Sequence, residues 1–182
     1  MINVRLVQDL FTDDFLTKIR TNTFLIDENG DFILDDLNEK ECLDNLVFYC
    51  STFTEFVCEI EKKIEAKEAF PFIFIPSGRN IQYSNRNALT SDVEIDEIFI
   101  CSLTDLNNSA KDRDIYSFKR ILFPLLDAFQ EKLMFHEKTI ITKADIFFDF
   151  EQHHSYDPES SKFQDLLDVI ILKNVKLKIK NC

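Results

Sequence analysis

Apolar residues recur at intervals of three and four along two long stretches of the chain, which is the period of one helix face. The first stretch runs from Asn38 to about Lys67, and Asn38 with Glu41 has the form of a capping box at its start. Its apolar seam consists of Leu43, Leu46, Cys50, Phe53, Val57, Ile60 and Ile64. A shorter stretch, Val4–Arg20, has the same period. The pattern therefore predicts a short N-terminal helix and a long helix that packs on the core, or also on another subunit.

The second long stretch predicts a helix from Ser109 to about Phe135. Ser109 is a good N-cap residue, and Asp112 places a carboxylate in the first turn, where the helix dipole favours it. Pro124 lies in the interior and removes the hydrogen bond to the carbonyl of Arg120. We therefore expect a kink at Pro124.

Shorter stretches rich in β-branched and aromatic residues predict four strands, at 71–76, 93–104, 139–150 and 168–180. The run Ile98–Cys101 is apolar at every position, which is typical of a central strand covered on both faces. The last strand alternates Val175, Leu177 and Ile179 with lysines, which is typical of a strand with one exposed face. Polar loops are predicted at 77–92 and after residue 150.

A hairpin is predicted at 24–34, because Asn29-Gly30 supplies the positive φ angles of a two-residue turn. The same stretch resembles the start of a calcium-binding loop, with Asp27, Asn29 and Asp31 alternating. An EF-hand needs glycine at position 6 and a bidentate Glu at position 12, and here Gly30 is fourth and Asn38 twelfth. The hairpin interpretation is therefore favoured over calcium binding.

These elements predict one α+β domain spanning residues 1–182. It has two layers: a mixed or antiparallel sheet of about four strands plus the hairpin, packed on one side by two long helices and the short N-terminal helix. Only a loop separates the strands at 71–76 and 93–104, so we expect them to pair antiparallel.

The composition of the chain disfavours two kinds of binding site, one for phosphate and one for nucleic acid. The chain has 182 residues with 19 Phe, 2 Gly and a net charge of −12. Phosphate-cradling loops need several glycines, and Gly30 and Gly78 are too far apart to build one. Residues 1–70 alone carry 16 acidic and 7 basic side chains, so most of the negative charge lies there. This balance disfavours sequence-independent binding of DNA by the whole surface. No sequence-specific nucleic acid partner is predicted either.

Five cysteines form no CxxC pair and are odd in number, which indicates buried free thiols in a reducing compartment. The start of the chain shows no secretory signal, and no apolar run is long enough to span a membrane. We therefore expect a soluble protein made in a cytoplasm.

No catalytic constellation stands out. Possible metal ligands crowd one stretch, at Asp149, Glu151, His153, His154 and Asp157. Adjacent histidines on an extended segment point in opposite directions and cannot easily share an ion. An exposed acidic loop is the favoured interpretation, with a metal-dependent hydrolase as the minor alternative. The sequence predicts no enzyme activity, no metal and no cofactor.

The C-terminal strand is the one local basic feature. Its lysines protect an edge strand against stray pairing, or they meet the acidic first third of a neighbouring subunit. For the second interpretation the candidate interface residues are Lys173, Lys176, Lys178, Lys180, Arg79 and Arg86.

Four segments, which cover roughly residues 70–180, have a recognisable succession: FPFIFIP, EIFICSLTD, RDIYSFKRILFPLLDAFQEKL and DLLDVIILKNVKLKIKN. Together they resemble the tail-terminator-like and neck proteins of tailed bacteriophages, especially those of Bacteroidetes phages and prophages. The closest features in the helix are Tyr116, Phe118, Lys119, Ile121, Leu122 and Pro124. In the final strand they are Asp168, Ile170, Leu172, Lys173, Asn174, Lys176, Leu177 and Ile179.

The resemblance implies a virion structural protein that forms a ring, often of six or twelve copies, between the capsid portal and the tail. It implies neighbouring neck or tail proteins as partners, passage of DNA through the ring, and assembly in the host cytoplasm. The chain departs from the family in its scarcity of glycine and in the polar stretch at 77–92. The alternative is an intracellular module that uses its acidic face to bind a basic partner protein.

Overall fold

The computed structural model describes residues 46–52, 54–56, 58, 71–77, 81–84, 89–103, 108–135, 149–156 and 167–180. Six strands in these ranges form one sheet: β1 (Val47–Ser51), β2 (Phe72–Pro76), β3 (Ile81–Ser84), β4 (Thr90–Leu103), β5 (Asp149–Tyr156) and β6 (Leu167–Lys180). One long helix, α1, follows β4 in three consecutive segments, Ala110–Arg113, Asp114–Leu122 and Phe123–Met134. The predicted α+β class is confirmed.

The sheet is mixed. Its strands lie in the order β1-β2-β4-β6-β5, and β3 also pairs with β4. β1 and β2 are parallel, whereas every other pair is antiparallel. The sequence predicts that the strands at 71–76 and 93–104 pair antiparallel. This pairing is confirmed, because β2 and β4 are antiparallel with Phe72 opposite Cys101. β4 is central, as its fully apolar run predicts.

One face of the sheet packs against α1. Alternate residues of the central strands, among them Ile75, Ile100 and Leu172, join α1 residues such as Phe118 and Phe129 in one buried core. We call this side of the sheet the helix face. The side chains of this core are buried. The apolar face of the amphipathic helix α1 and the alternate apolar residues of the strands therefore form one layer.

The opposite face carries an aromatic cluster, made of Tyr49, Phe56, Phe72, Phe74 and Phe99. Phe56 stacks on Phe74 with ring centroids 3.9 Å apart and meets Tyr49 edge-on at 5.6 Å. Because residues 54–56 are helical, helical residues contact the sheet from both faces. The two-layer arrangement and the predicted number of helices are therefore not confirmed.

The predicted helix from Asn38 to Lys67 is wrong at 47–51, which form β1. The spacing of Leu46, Cys50 and Phe53 suits a helix, but Phe48 and Cys50 also alternate with Tyr49 at the period of a strand. Pairing with β2 decides in favour of the strand.

A capping box marks the beginning of the helical residues instead. The Glu55 amide donates to Thr52 Oγ1 at 3.3 Å, and the Thr52 amide donates to Glu55 Oε2 at 3.0 Å. These hydrogen bonds lower the pKa of Glu55. The spacing of Thr52 and Glu55 in the sequence is the signal that places the helix start after β1.

Two predicted loops contain strands. β3 and the first residues of β4 lie within 77–92, and β5 occupies Asp149–Tyr156, where a polar loop is predicted after residue 150. Both strands are short or rich in polar residues, and each pairs with a long neighbour, β3 with β4 and β5 with β6. The predicted helix at Val4–Arg20 and the hairpin at 24–34 lie outside the described residues.

The central ladder contains a paired change of face. On β4 the helix face carries Val93 and Ile95, then Ile98 and Ile100, so the alternation shifts by one residue. β6 shifts in the same place, since Leu172 and Val175 both lie on that face. The register is unchanged across the shift, with Ile95 opposite Val175 and Glu97 opposite Lys173. Both 14-residue strands therefore keep the helix face apolar along their length.

Asn174 makes the shift on β6, with a φ of 56°. This is the left-handed region, which Asn tolerates better than other residues with a Cβ atom. In the register of the ladder Asp96 of β4 lies opposite Asn174. Asp96 comes after Val93 and Ile95 and before Ile98 and Ile100, where the alternation of β4 shifts by one residue.

Helix α1 begins as predicted. Ser109 caps it, with the Asp112 amide donating to Ser109 Oγ at 3.3 Å and the Ser109 amide donating to Asp112 Oδ2 at 3.1 Å. The segment Asp114–Leu122 is a π-helix, in which the amide of Phe123 donates to the carbonyl of Phe118. Because Pro124 has no N–H, the change from π to α hydrogen bonding comes directly before it. The hydrogen-bond pattern of the helix thus changes next to Pro124, and the kink expected there stays a prediction.

Replacing Asn174 tests the face change. Asn174→Val forces a β-branched residue into the left-handed region and should lower the free energy of unfolding by about 2 kcal/mol. Asn174→Gly should be neutral or stabilising. Urea unfolding followed by circular dichroism measures both. Lys176→Val, at an exposed extended position, is the control, and equal losses for the two valine variants would contradict the assignment.

The cap of α1 gives a pH-dependent prediction. Ser109→Ala should cost about 1 kcal/mol of stability near pH 6. The side-chain and backbone hydrogen bonds with Ser109 hold the pKa of Asp112 below its ordinary value of 3.8. The carboxylate therefore stabilises the fold above pH 3.8, and this contribution is lost as the pH falls through the lower folded-state pKa. Unfolding of wild type and Asp112→Asn should differ at pH 6 and converge in acid.

Candidate functional site

The face change divides the second side of the sheet into an aromatic half and a charged half. We call β3, residues 90–96 of β4 and residues 174–180 of β6 the charged half-sheet. Its buried row joins Ile81, Ile95 and Val175 across three strands on the helix face. The neighbouring row on the other face joins Gln82, Glu94 and Lys176.

Two cross-strand ion pairs lie on this exposed face. Lys176 Nζ is 3.4 Å from Glu94 Oε1, and Lys178 Nζ is 3.5 Å from Asp92 Oδ1. The lysine side chains are 68% and 49% exposed and the carboxylates 42% and 30%. Such solvated pairs are worth about 0.2–1 kcal/mol each, and salt screens them. They align β4 with β6 but add little to stability.

The structure places four of the six predicted interface residues. Lys176, Lys178 and Lys180 follow one another on the exposed face of β6, with Lys180 opposite Thr90. Lys173 lies beyond the face change, between Glu97 and Asp149 in the register. Arg79 and Arg86 lie outside the described residues. The acidic partners of Lys176 and Lys178 are within the same chain, and contact with a neighbouring subunit stays a prediction.

The charged half-sheet has a strand edge at each side. Among the described strands, none pairs with Val175–Ile179 on the side away from β4, because β5 stops opposite Lys173. β3 pairs with β4 alone within the described part of the chain. The backbone donors and acceptors along such edges are templates for a further strand. These two edges are the feature of the structure with the clearest capacity to bind another chain.

β3 and its exposed residue Gln82 were missed by sequence reasoning. The signal is the short alternation at 81–84, where apolar and polar residues follow one another directly after a polar stretch. Four residues are too few to identify a strand without its neighbour.

The thiols of the described strands are poor nucleophiles. Cys101 is buried as expected, and burial raises its pKa well above 9.0. Burial also raises the pKa of Cys50 to about 11. Cys58 is exposed, so the expectation that all the cysteines are buried is wrong there. At neutral pH Cys50 and Cys101 are therefore protonated packing groups.

Among the described residues, no group of three or more His, Cys, Asp or Glu side chains is arranged to hold a metal ion. The stretch of possible metal ligands, for which an exposed acidic loop is the interpretation favoured by the sequence, falls largely on β5, whose backbone is extended, and Asp157 lies outside the described residues. No helix in the described ranges is long and apolar enough to cross a membrane.

A double-mutant cycle measures how much the ion pair between Lys178 and Asp92 contributes to the free energy of unfolding. Asp92→Asn, Lys178→Gln and the double variant should give a coupling of about 0.2–1 kcal/mol in urea unfolding at low salt. The coupling should fall toward zero in about 1 M NaCl, where the Debye length is about 3 Å. A cycle of Asp92 with Lys119 on α1 is the control, and coupling of equal size there would contradict the pairing.

Comparison with known proteins adds no relative. No protein-family model, no curated protein and no solved structure matches the chain. The charged half-sheet and the segments that build it are therefore the basis for assigning a function.

Proposed function

We propose that this chain is a ring-forming structural subunit, of the tail-terminator-like or neck type of tailed bacteriophages. The observation that carries the proposal is the charged half-sheet, which has one edge on β3 and another on β6 that pair with no further strand among the described residues. Two different edges on opposite sides of one molecule favour head-to-tail contacts, which close into rings or extend into filaments.

The strand directions suit a contact of this kind. β3 and β6 are both antiparallel to β4, so they run in the same direction. Rotation about an axis roughly parallel to the strands brings β6 of one copy beside β3 of the next, as a parallel pair. Parallel pairs have evenly spaced hydrogen bonds and need no two-fold symmetry.

The side chains of the two edges also match. On the helix face, Ile81 of one copy would lie beside the buried apolar residues of β6 in the next copy, which are Val175, Leu177 and Ile179. On the exposed face, Gln82 would lie next to the lysines of β6. Apolar residues thus meet apolar ones, and an amide oxygen meets ammonium groups, so the contact buries no like charges.

The phage assignment is supported by where the resembling segments fall. They build β2, β4, α1 and β6, which together form the centre of the sheet and the helix that covers it. In this proposal the ring, of six or twelve copies, joins the capsid portal to the tail within the virion and lets DNA pass. Its neighbours are other neck or tail proteins, and its role is structural, without catalysis.

A matched pair of substitutions at Gln82 tests the contact. Gln82→Lys places a positive charge against the lysines of the neighbouring β6 and should weaken assembly at least tenfold, whereas Gln82→Glu should preserve or strengthen it. Sedimentation velocity at several concentrations and at low salt measures the effect.

The stability of the single subunit should change in the opposite sense. Gln82 lies opposite Glu94, so the lysine gains an internal partner and the glutamate a repelling neighbour. Urea unfolding therefore separates assembly from folding. A wild-type chain that stays monomeric at every concentration, or equal assembly of the two variants, would contradict the proposal.

A further inference from the structure

We infer that Lys176, Lys178 and Lys180 select the partner of the β6 edge: they reject a second β6 and admit β3 of another copy. The inference deepens the proposed head-to-tail assembly and depends on it for the identity of the admitted strand. The rejection of a second β6 follows from the residue pattern of β6 alone.

An isolated edge most readily binds its own copy through a two-fold axis, with the two strands antiparallel. In such a pair, residues facing each other have numbers with a constant sum. The lysines of this edge occupy the even positions from 176 to 180. If the sum is even, even positions face even positions, so lysine faces lysine along the whole edge. If the sum is odd, each lysine faces Val175, Leu177 or Ile179, which belong to the buried helix face. Every register is therefore unfavourable.

The acidic residues on β4 do not remove this repulsion. Glu94 and Asp92 contact Lys176 and Lys178 from the β4 side, and the open edge lies on the other side of β6. A strand that arrives at the edge therefore meets the lysines first. Both ammonium groups are about half exposed or more, so each has donors directed to solvent.

β3 meets neither obstacle. Its exposed residue Gln82 is neutral and can accept a hydrogen bond from a lysine, and its buried residue Ile81 belongs on the apolar side of the sheet. The lysines thus act as a selection device within the assembly surface, directing identical chains away from two-fold dimers and toward a head-to-tail contact.

The experiment removes the lysines from the chain that carries Gln82→Lys, and hydrogen exchange distinguishes a β6–β6 contact from a β3–β6 contact. The full chain carrying Gln82→Lys is combined with Lys176→Thr, Lys178→Thr and Lys180→Thr, and its association is measured by sedimentation velocity at about 0.05 M NaCl. We expect a dimer, at least tenfold tighter than any dimer of Gln82→Lys alone. Hydrogen exchange should show new protection of the amides at 175–179 and none at 81–84, because a β6–β6 dimer leaves β3 as it is in the single subunit.

The control removes three lysines from α1 in the same background, with Lys111→Thr, Lys119→Thr and Lys132→Thr. It makes the same change in net charge away from the edge and should remain monomeric. A second set, with Gln in place of Thr on β6, keeps the test valid if the Thr variant folds poorly, and circular dichroism checks both.

The outcomes separate the two proposals. If the β6 variants associate no more tightly than the α1 control, lysine selection is overturned, whatever the wild type does. If they dimerise with that protection while the wild-type chain forms no higher assembly at any concentration, rejection of a second β6 by the lysines stands and the head-to-tail function fails. Dimers without protection at 175–179, or with protection at 81–84, would overturn the rejection, since another contact would then be responsible.

Discussion

The paired change of face in β4 and β6 is the constraint on which the remaining structure depends. A 14-residue ladder with strict alternation would direct its apolar residues to one side in one half and to the other side in the other half. The shift at Asp96 and Asn174 keeps Val93, Ile100 and their neighbours on one surface. Helix α1 therefore packs in one buried core with apolar residues from both halves of the ladder, and the cost is one left-handed residue of a type that tolerates it.

The same shift gives the other side of the sheet two distinct halves. Where every residue of β4 and β6 is apolar, the second face is closed by the aromatic cluster under Phe56. Where the strands alternate with charged residues, it presents Asp92 and Glu94 beside Lys176 and Lys178. The aromatic half is core, and the charged half is surface with open edges. One local backbone feature thus links the packing of the domain to the surface proposed for assembly.

The sequence predicts the elements whose stabilising interactions are local or periodic. The alternation of β6, the fully apolar run of β4 and the cap at Ser109 all appear as expected. The sequence does not predict β1, because the spacing of Leu46, Cys50 and Phe53 suits a helix while the same stretch also suits a strand. Pairing with β2 decides in favour of the strand. β5 and β3 are too polar or too short to be recognised without their neighbours.

The candidate site could be predicted in part for the same reason. Lysine spacing identifies the exposed face of β6, but the register that pairs Lys176 with Glu94 is set by contacts between distant segments. The open edges depend on where neighbouring strands stop, which no local pattern encodes. Negative-stain electron microscopy of the purified 182-residue chain tests directly whether identical subunits assemble into a ring. Closed rings of uniform diameter are the predicted result, and single subunits or two-fold dimers at every concentration would contradict it.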